Sequence, residues 1–191
     1  MKVSVRSYPR GFTLVELIAA LAVLVTVSAI ALPSMLSAID RAKLPQAARE
    51  VERELQSAKS RAVIKGRAMR VRFNCPAAGE YRVVELLGTT SVPLPADSSA
   101  DRCSPTQYPY PPPDTDPVTT PNLDGPVRTF DSTISFGETE TVEFRANGTA
   151  WYEANVGDYD LIPVAGIQIT LVRNGVTETI TVNGLGKVTL Q

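Results

Sequence analysis

The sequence predicts an α+β protein: a long N-terminal helix, apolar first and amphipathic afterwards, set against β-sheet. Three observations carry this. An almost unbroken apolar run covers residues 12–32. Apolar residues then recur at three- and four-residue steps (Leu44, Ala48, Val51, Leu55, Ala58, Ala62), the stripe of a helix with one buried face. From Met69 onward the period shortens to two, with Met69, Val71 and Phe73 alternating with Arg70 and Arg72, which is the pattern of a half-buried strand.

The apolar run comes first. At about 1.5 Å per residue it makes a helix of roughly 31 Å, the thickness of a bilayer core. Residues 1–11 before it are basic, with Lys2, Arg6 and Arg10 and no acid. That bias keeps the N-terminus cytoplasmic and sends the rest of the chain across the membrane. A secretory signal peptide is the competing reading, with Ala29-Ile30-Ala31 imitating a cleavage site after the apolar segment. Glu16 argues for something else. A carboxylate inside a spanning helix costs about 2.5–3.5 kcal/mol at the centre and less near an end. It either snorkels to water or has a partner.

Residues 11–17, Gly-Phe-Thr-Leu-Val-Glu-Leu, resemble the processing motif of type IV prepilins and type II secretion pseudopilins. The resemblance implies a leader peptide at 1–11, removed by a prepilin peptidase that cuts between Gly11 and Phe12 and methylates the new Phe12 amine. It also implies that Glu16 serves filament assembly by pairing with the Phe12 amine of a neighbouring subunit. An unpaired carboxylate in so dry a setting costs several kcal/mol, so the pair sets register as well as attraction. Pro33 follows the span (12–32). It either ends the span or, as in many pilins, introduces a helix kink.

The amphipathic stem covers 33–66. Its charged face carries Arg49, Glu50, Glu52, Arg53, Glu54 and Lys59, read as surface pairs at helical spacing, and Gly66 is its stop. The remainder, 67–191, reads as a β-rich domain outside the cytoplasm. Strands are expected at Met69–Phe73, Tyr81–Leu87, Val142–Phe144, Thr149–Tyr152, Ile167–Leu171, Thr177–Val182 and Lys187–Leu190, with Asn174-Gly175 as a hairpin turn. The arginines Arg67, Arg70 and Arg72 are read as the solvent face of the first strand. Ten of the 15 prolines fall between Val92 and Pro126. This insertion (92–126) reads as a variable excursion, with a partner-binding surface around Tyr108 and Tyr110 as the alternative.

Two further stretches resemble the GspH/FimT branch of minor pilins and pseudopilins: Leu55–Val71, as a helix-to-strand passage, and the closing Asn183-Gly-Leu-Gly-Lys-Val. The branch implies a long transmembrane and stem helix packed against antiparallel β-sheets. Some of its members bind DNA through a basic tail. Here the last six residues hold one basic side chain, Lys187, too few for a salt-resistant grip on phosphates.

Composition narrows function further. There are 19 basic and 20 acidic side chains and no histidine. The commonest general base and metal ligand are therefore missing, and no enzyme, cofactor or metal site is expected. The acidic pairs Asp114/Asp116 and Asp158/Asp160 lack the ligand density of a calcium loop and read as turn caps. Cys75 and Cys103 lack zinc-site spacing; outside the cytoplasm they are expected to form a disulfide. The expected function is that of a structural minor subunit of a type II secretion pseudopilus or type IV pilus. Its partners would be the prepilin peptidase, other pilins or pseudopilins and the inner membrane, with a periplasmic C-terminal domain. The alternative is a pilus-tip subunit that binds DNA or another ligand, using the basic strand (Arg67, Arg70, Arg72) or the proline-rich segment.

Overall fold

A computed structural model of the chain describes residues 11–116 and 118–191, without the side chain of Pro33. The expected leader lies outside the described residues except for Gly11. One helix, α1, runs from Leu14 to Lys65, so the expected span and stem belong to a single element that passes through position 33. The chain divides into two units, Met1–Ala42 and Lys43–Gln191.

In the first unit the large apolar side chains of α1 are exposed, from Leu14 through Ile39. By length and composition this is a helix able to cross a membrane. A core helix of a water-soluble domain would have buried these residues.

The second unit holds the sheets. A six-stranded antiparallel sheet has the order β3-β2-β1-β5-β6-β7, built from β1 (Met69–Phe73), β2 (Glu80–Glu85), β3 (Val127–Thr129), β5 (Val142–Phe144), β6 (Ala150–Asn155) and β7 (Asp158–Leu161). A four-stranded antiparallel sheet has the order β10-β9-β8-β4, from β4 (Ser135–Phe136), β8 (Ile167–Arg173), β9 (Val176–Val182) and β10 (Val188–Leu190). The stripe expected on the stem is buried in full: Leu44, Ala48, Val51, Leu55, Ala58 and Ala62 join Met69, Val71, Tyr81, Val83, Phe144, Ile169, Leu171, Ile180 and Val182 in one apolar core. Alanines at 47, 48, 58 and 62 let the helix backbone approach the sheets closely.

Local turn chemistry behaves as the residues demand. Gly66 ends α1 in the left-handed region. Asn174 and Gly175 both have positive φ and join β8 to β9 in register Arg173↔Val176, the geometry of a type I′ hairpin.

Four expectations need correction. Strands β3, β4 and β7 were not expected from the sequence; each forms by pairing with a neighbouring strand, β2, β8 or β6. Asp158 and Asp160 lie on β7 rather than capping turns, whereas Asp114 and Asp116 do accept N–H bonds from Asp116 and Val118. Glu54 is buried, not solvated, and pairs with Arg128 at 3.3 Å and Arg61 at 3.8 Å. Finally, Arg70 does not face solvent: it is 2% exposed. The physical reason is the excursion, which covers the outer face of β1 and β2.

Candidate functional site

Two regions concentrate unusual chemistry, one in each unit. In the first, Gly11 and Phe12 precede the helix in exposed, non-helical chain. Thr13 caps α1: its hydroxyl accepts the Glu16 N–H at 3.2 Å, and its carbonyl accepts the Leu17 N–H. Thr13-x-x-Glu16 is thus a capping-box sequence, a signal that could have located the helix start from the residues alone. Glu16 stands in the first turn, where a negative charge favours the helix N-terminus. On its C-terminal side, Ala19, Ala20, Val23, Leu24, Val27 and Ser28 make a shallow, mostly apolar strip. The site residues expected from sequence (Gly11, Phe12, Glu16) therefore lie together on one short stretch, with the junction Gly11–Phe12 immediately outside the cap.

In the second unit, the outer face of β1–β2 carries arginines that sequence reasoning assigned to solvent. Alternation along β1 sends Met69 and Val71 into the core, so Arg70 and Arg72 point the other way. Arg70 sits opposite Glu143 of β5 in register, and its Nε donates to the Glu143 carboxylate at 2.8 Å. Arg72 sits opposite Arg82 of β2. Two like charges in that position repel. Both are instead claimed by the excursion. Arg72 donates to the carbonyls of Ser98 and Ser99. Arg82 donates to those of Gly125 (2.8 Å), Arg102 (3.3 Å), Ser104 (3.4 Å) and Tyr108 (2.6 Å). Burial lowers the pKa of Arg72 and of Arg82 from the usual arginine value, while the carbonyls satisfy their N–H groups.

Among its described residues, the excursion has only a one-turn helix, α2 (Pro95–Ser98), and a 3-10 turn at Ala100–Cys103. Its backbone is organised by buried carboxylates. Asp97 accepts the N–H groups of Leu87 (2.6 Å), Gly88 (3.0 Å) and Leu94 (2.8 Å). Asp124 accepts two bonds from Arg102, at 2.8 and 2.9 Å, and the Glu85 N–H at 2.7 Å. Glu85 accepts from Asn122 and Leu123 at 2.9 and 3.1 Å. Cys75 and Cys103 are joined by a disulfide with Cα atoms 5.5 Å apart. The excursion is thus a strap whose irregular carbonyls, which cannot be buried unpaired, find donors in arginine side chains. The available sequence signal was the coincidence of arginines on alternate strand positions with a long segment lacking any period of its own.

Compared with known proteins, residues 6–32 match the prokaryotic N-terminal methylation motif. No curated protein matches the chain. Among solved structures, it is similar to two crystal forms of the type IV minor pilin FimU of Pseudomonas aeruginosa strain PAO1. Identity is 17% in both. The first covers 80% of this chain and 90% of that one at a TM-score of 0.46; the second covers 78% and 92% at 0.43. At these scores the likeness is one of shape and carries no functional weight.

Proposed function

We infer that this chain, which carries the prokaryotic N-terminal methylation motif at residues 6–32, is a type IV pilin-like subunit that assembles through α1. The observation that supports this most directly is the junction itself. Gly11–Phe12 is exposed, non-helical chain, directly before a capped apolar helix with an acid in its first turn. A peptidase can reach such a bond, and cutting it removes the basic leader while leaving the apolar helix attached. More finely, we read the subunit as a minor, structural one of a type II secretion pseudopilus or a type IV pilus. It is held in the inner membrane with the leader cytoplasmic and the second unit periplasmic. The DNA-binding alternative loses its basic strand, because Arg70 and Arg72 are engaged by Glu143 and by strap carbonyls.

Intact-mass measurement of membrane-extracted protein tests this reading. The expected species begins at Phe12 and carries one additional methyl group on its amine; a species beginning near residue 32 overturns the proposal. A side chain at Gly11 meets nothing within 4 Å in the subunit. A bulky substitution such as Gly11→Val therefore leaves the fold alone, and its expected block of cleavage reports on the peptidase.

Glu16→Ala tests assembly separately. The variant is expected to insert and be cleaved normally, yet to co-purify poorly with the other subunits, because the Phe12 amine of a neighbour then lacks its carboxylate in a water-poor setting. Normal co-purification would reduce Glu16 to a helix-capping residue.

A further inference from the structure

The starts of β1 and the ends of β2 and β5 converge on a cavity of about 530 Å³ lined by Arg67, Leu86, Thr89, Thr90, Arg145 and Asn147, among others. It lies wholly within the second unit and stands apart from the assembly reading above. No acidic side chain lines it.

Arg145 is held as a fork. Its Nε donates to Glu143 at 2.8 Å, and its guanidinium lies 3.5 Å from the ring centroid of Trp151. Nε and the plane are therefore fixed, while the two terminal nitrogens have no hydrogen-bond partner among the described residues. The same tryptophan orients a second donor. Trp151 Nε1 donates to the Thr149 hydroxyl (2.9 Å), which donates to Asn147 Oδ1 (2.7 Å); the Thr149 N–H reaches the same oxygen (3.1 Å). With its oxygen occupied, Asn147 has its amide N–H groups left to give.

The charge count favours a single negative group. Glu143 is shared by Arg70 and Arg145, both at 2.8 Å, so one carboxylate answers two guanidinium groups. Arg67 is answered by Glu85 at 3.4 Å. One positive charge is left over. A planar fork with two free donors matches the two coplanar oxygens of a carboxylate, and one surplus charge is too little to hold a polyanion, which needs several phosphate contacts. We propose that this cavity binds the C-terminal carboxylate of a partner polypeptide through Arg145 and Asn147.

Trp151 is the single tryptophan of the chain, so its emission reports on this site alone. The full chain in maltoside micelles is titrated with acetyl-Gly-Leu bearing a free carboxylate, with its C-terminal amide, and with inorganic phosphate. The free acid is expected to give a saturable change in emission below about 10 mM, and the amide to bind at least about tenfold more weakly. Arg145→Gln should abolish the response. Asn147→Asp keeps the acceptor that Thr149 uses but adds a negative charge, and should weaken binding about tenfold or more with an unchanged unfolding midpoint. No saturable change, equal binding of the amide, or undiminished affinity in a folded Asn147→Asp variant overturns the site. Tighter binding of phosphate than of the free acid overturns the carboxylate assignment.

Discussion

Asp124→Ala is expected to cost the second unit about 3–5 kcal/mol, the range for removing one partner of a buried ion pair. Arg102 and Asp124 are 1% and 2% exposed at the side chain and meet through two bonds. Arg102 Nε already lacks a partner among the described residues. Its remaining support is the Glu85 carbonyl at 2.6 Å and the face of Tyr108, 4.2 Å away. Taking away the carboxylate therefore strands a buried guanidinium and also orphans the Glu85 N–H. Against a typical domain stability of about 5–15 kcal/mol the loss is large. With a urea slope of about 1–3 kcal/mol/M the midpoint should fall by more than about 1 M. Replacing both partners, as Arg102→Met with Asp124→Leu, should recover part of the loss, because the guanidinium is then no longer left buried without its carboxylate, although the Glu85 N–H stays without its acceptor. A cost below about 1 kcal/mol for Asp124→Ala would match a solvent-exposed pair and contradict the burial.

Replacing both Cys75 and Cys103 by serine is expected to lower stability by about 3.5 kcal/mol, the chain-entropy value for a loop of this length; the bridge spans 28 positions. It ties Cys75, just beyond β1, to Cys103 in the strap's 3-10 turn. The reduced strap should stay seated nonetheless, because Arg72, Arg82 and Arg102 hold it independently of the bridge. Urea unfolding should therefore show a lower midpoint with a similar slope, and limited proteolysis should leave the β1–β2 pair intact. Thiol labelling of the unfolded, unreduced wild-type protein should find neither cysteine. Labelling of both would refute the bridge, and loss of the whole fold in the serine variant would refute the independence of the arginine clamp.

Much of this architecture was readable residue by residue. The Leu44-to-Ala62 stripe, the Asn174-Gly175 hairpin and the long strands β8 and β9 are all local patterns, and each occurs where expected within a residue or two. The short strands β3, β4 and β7 were not readable. They were missed although β5, with three residues, was found, and their extended form comes from pairing with β2, β8 and β6. The N-terminal residues Gly11, Phe12 and Glu16 were legible because their chemistry is contiguous; what the structure adds is Thr13 as the cap.

The arginines mark the boundary between the two kinds of knowledge. Alternation in Met69–Phe73 correctly separates two faces, and period two can do no more than that. Whether the polar face meets water depends on a segment some 25 residues further along. Because that strap has few backbone partners of its own, its carbonyls and the guanidinium groups of Arg72 and Arg82 satisfy one another. Glu54 and Arg145 follow the same logic in part, since Arg128 and Trp151 reach them from other strands, while Glu143 meets Arg145 from two residues back along the chain. Helix, hairpin and processing junction are local properties, set by steric preference and hydrophobic period along the chain. Burial of charge is not, because its cost depends on partners that only folding brings within reach.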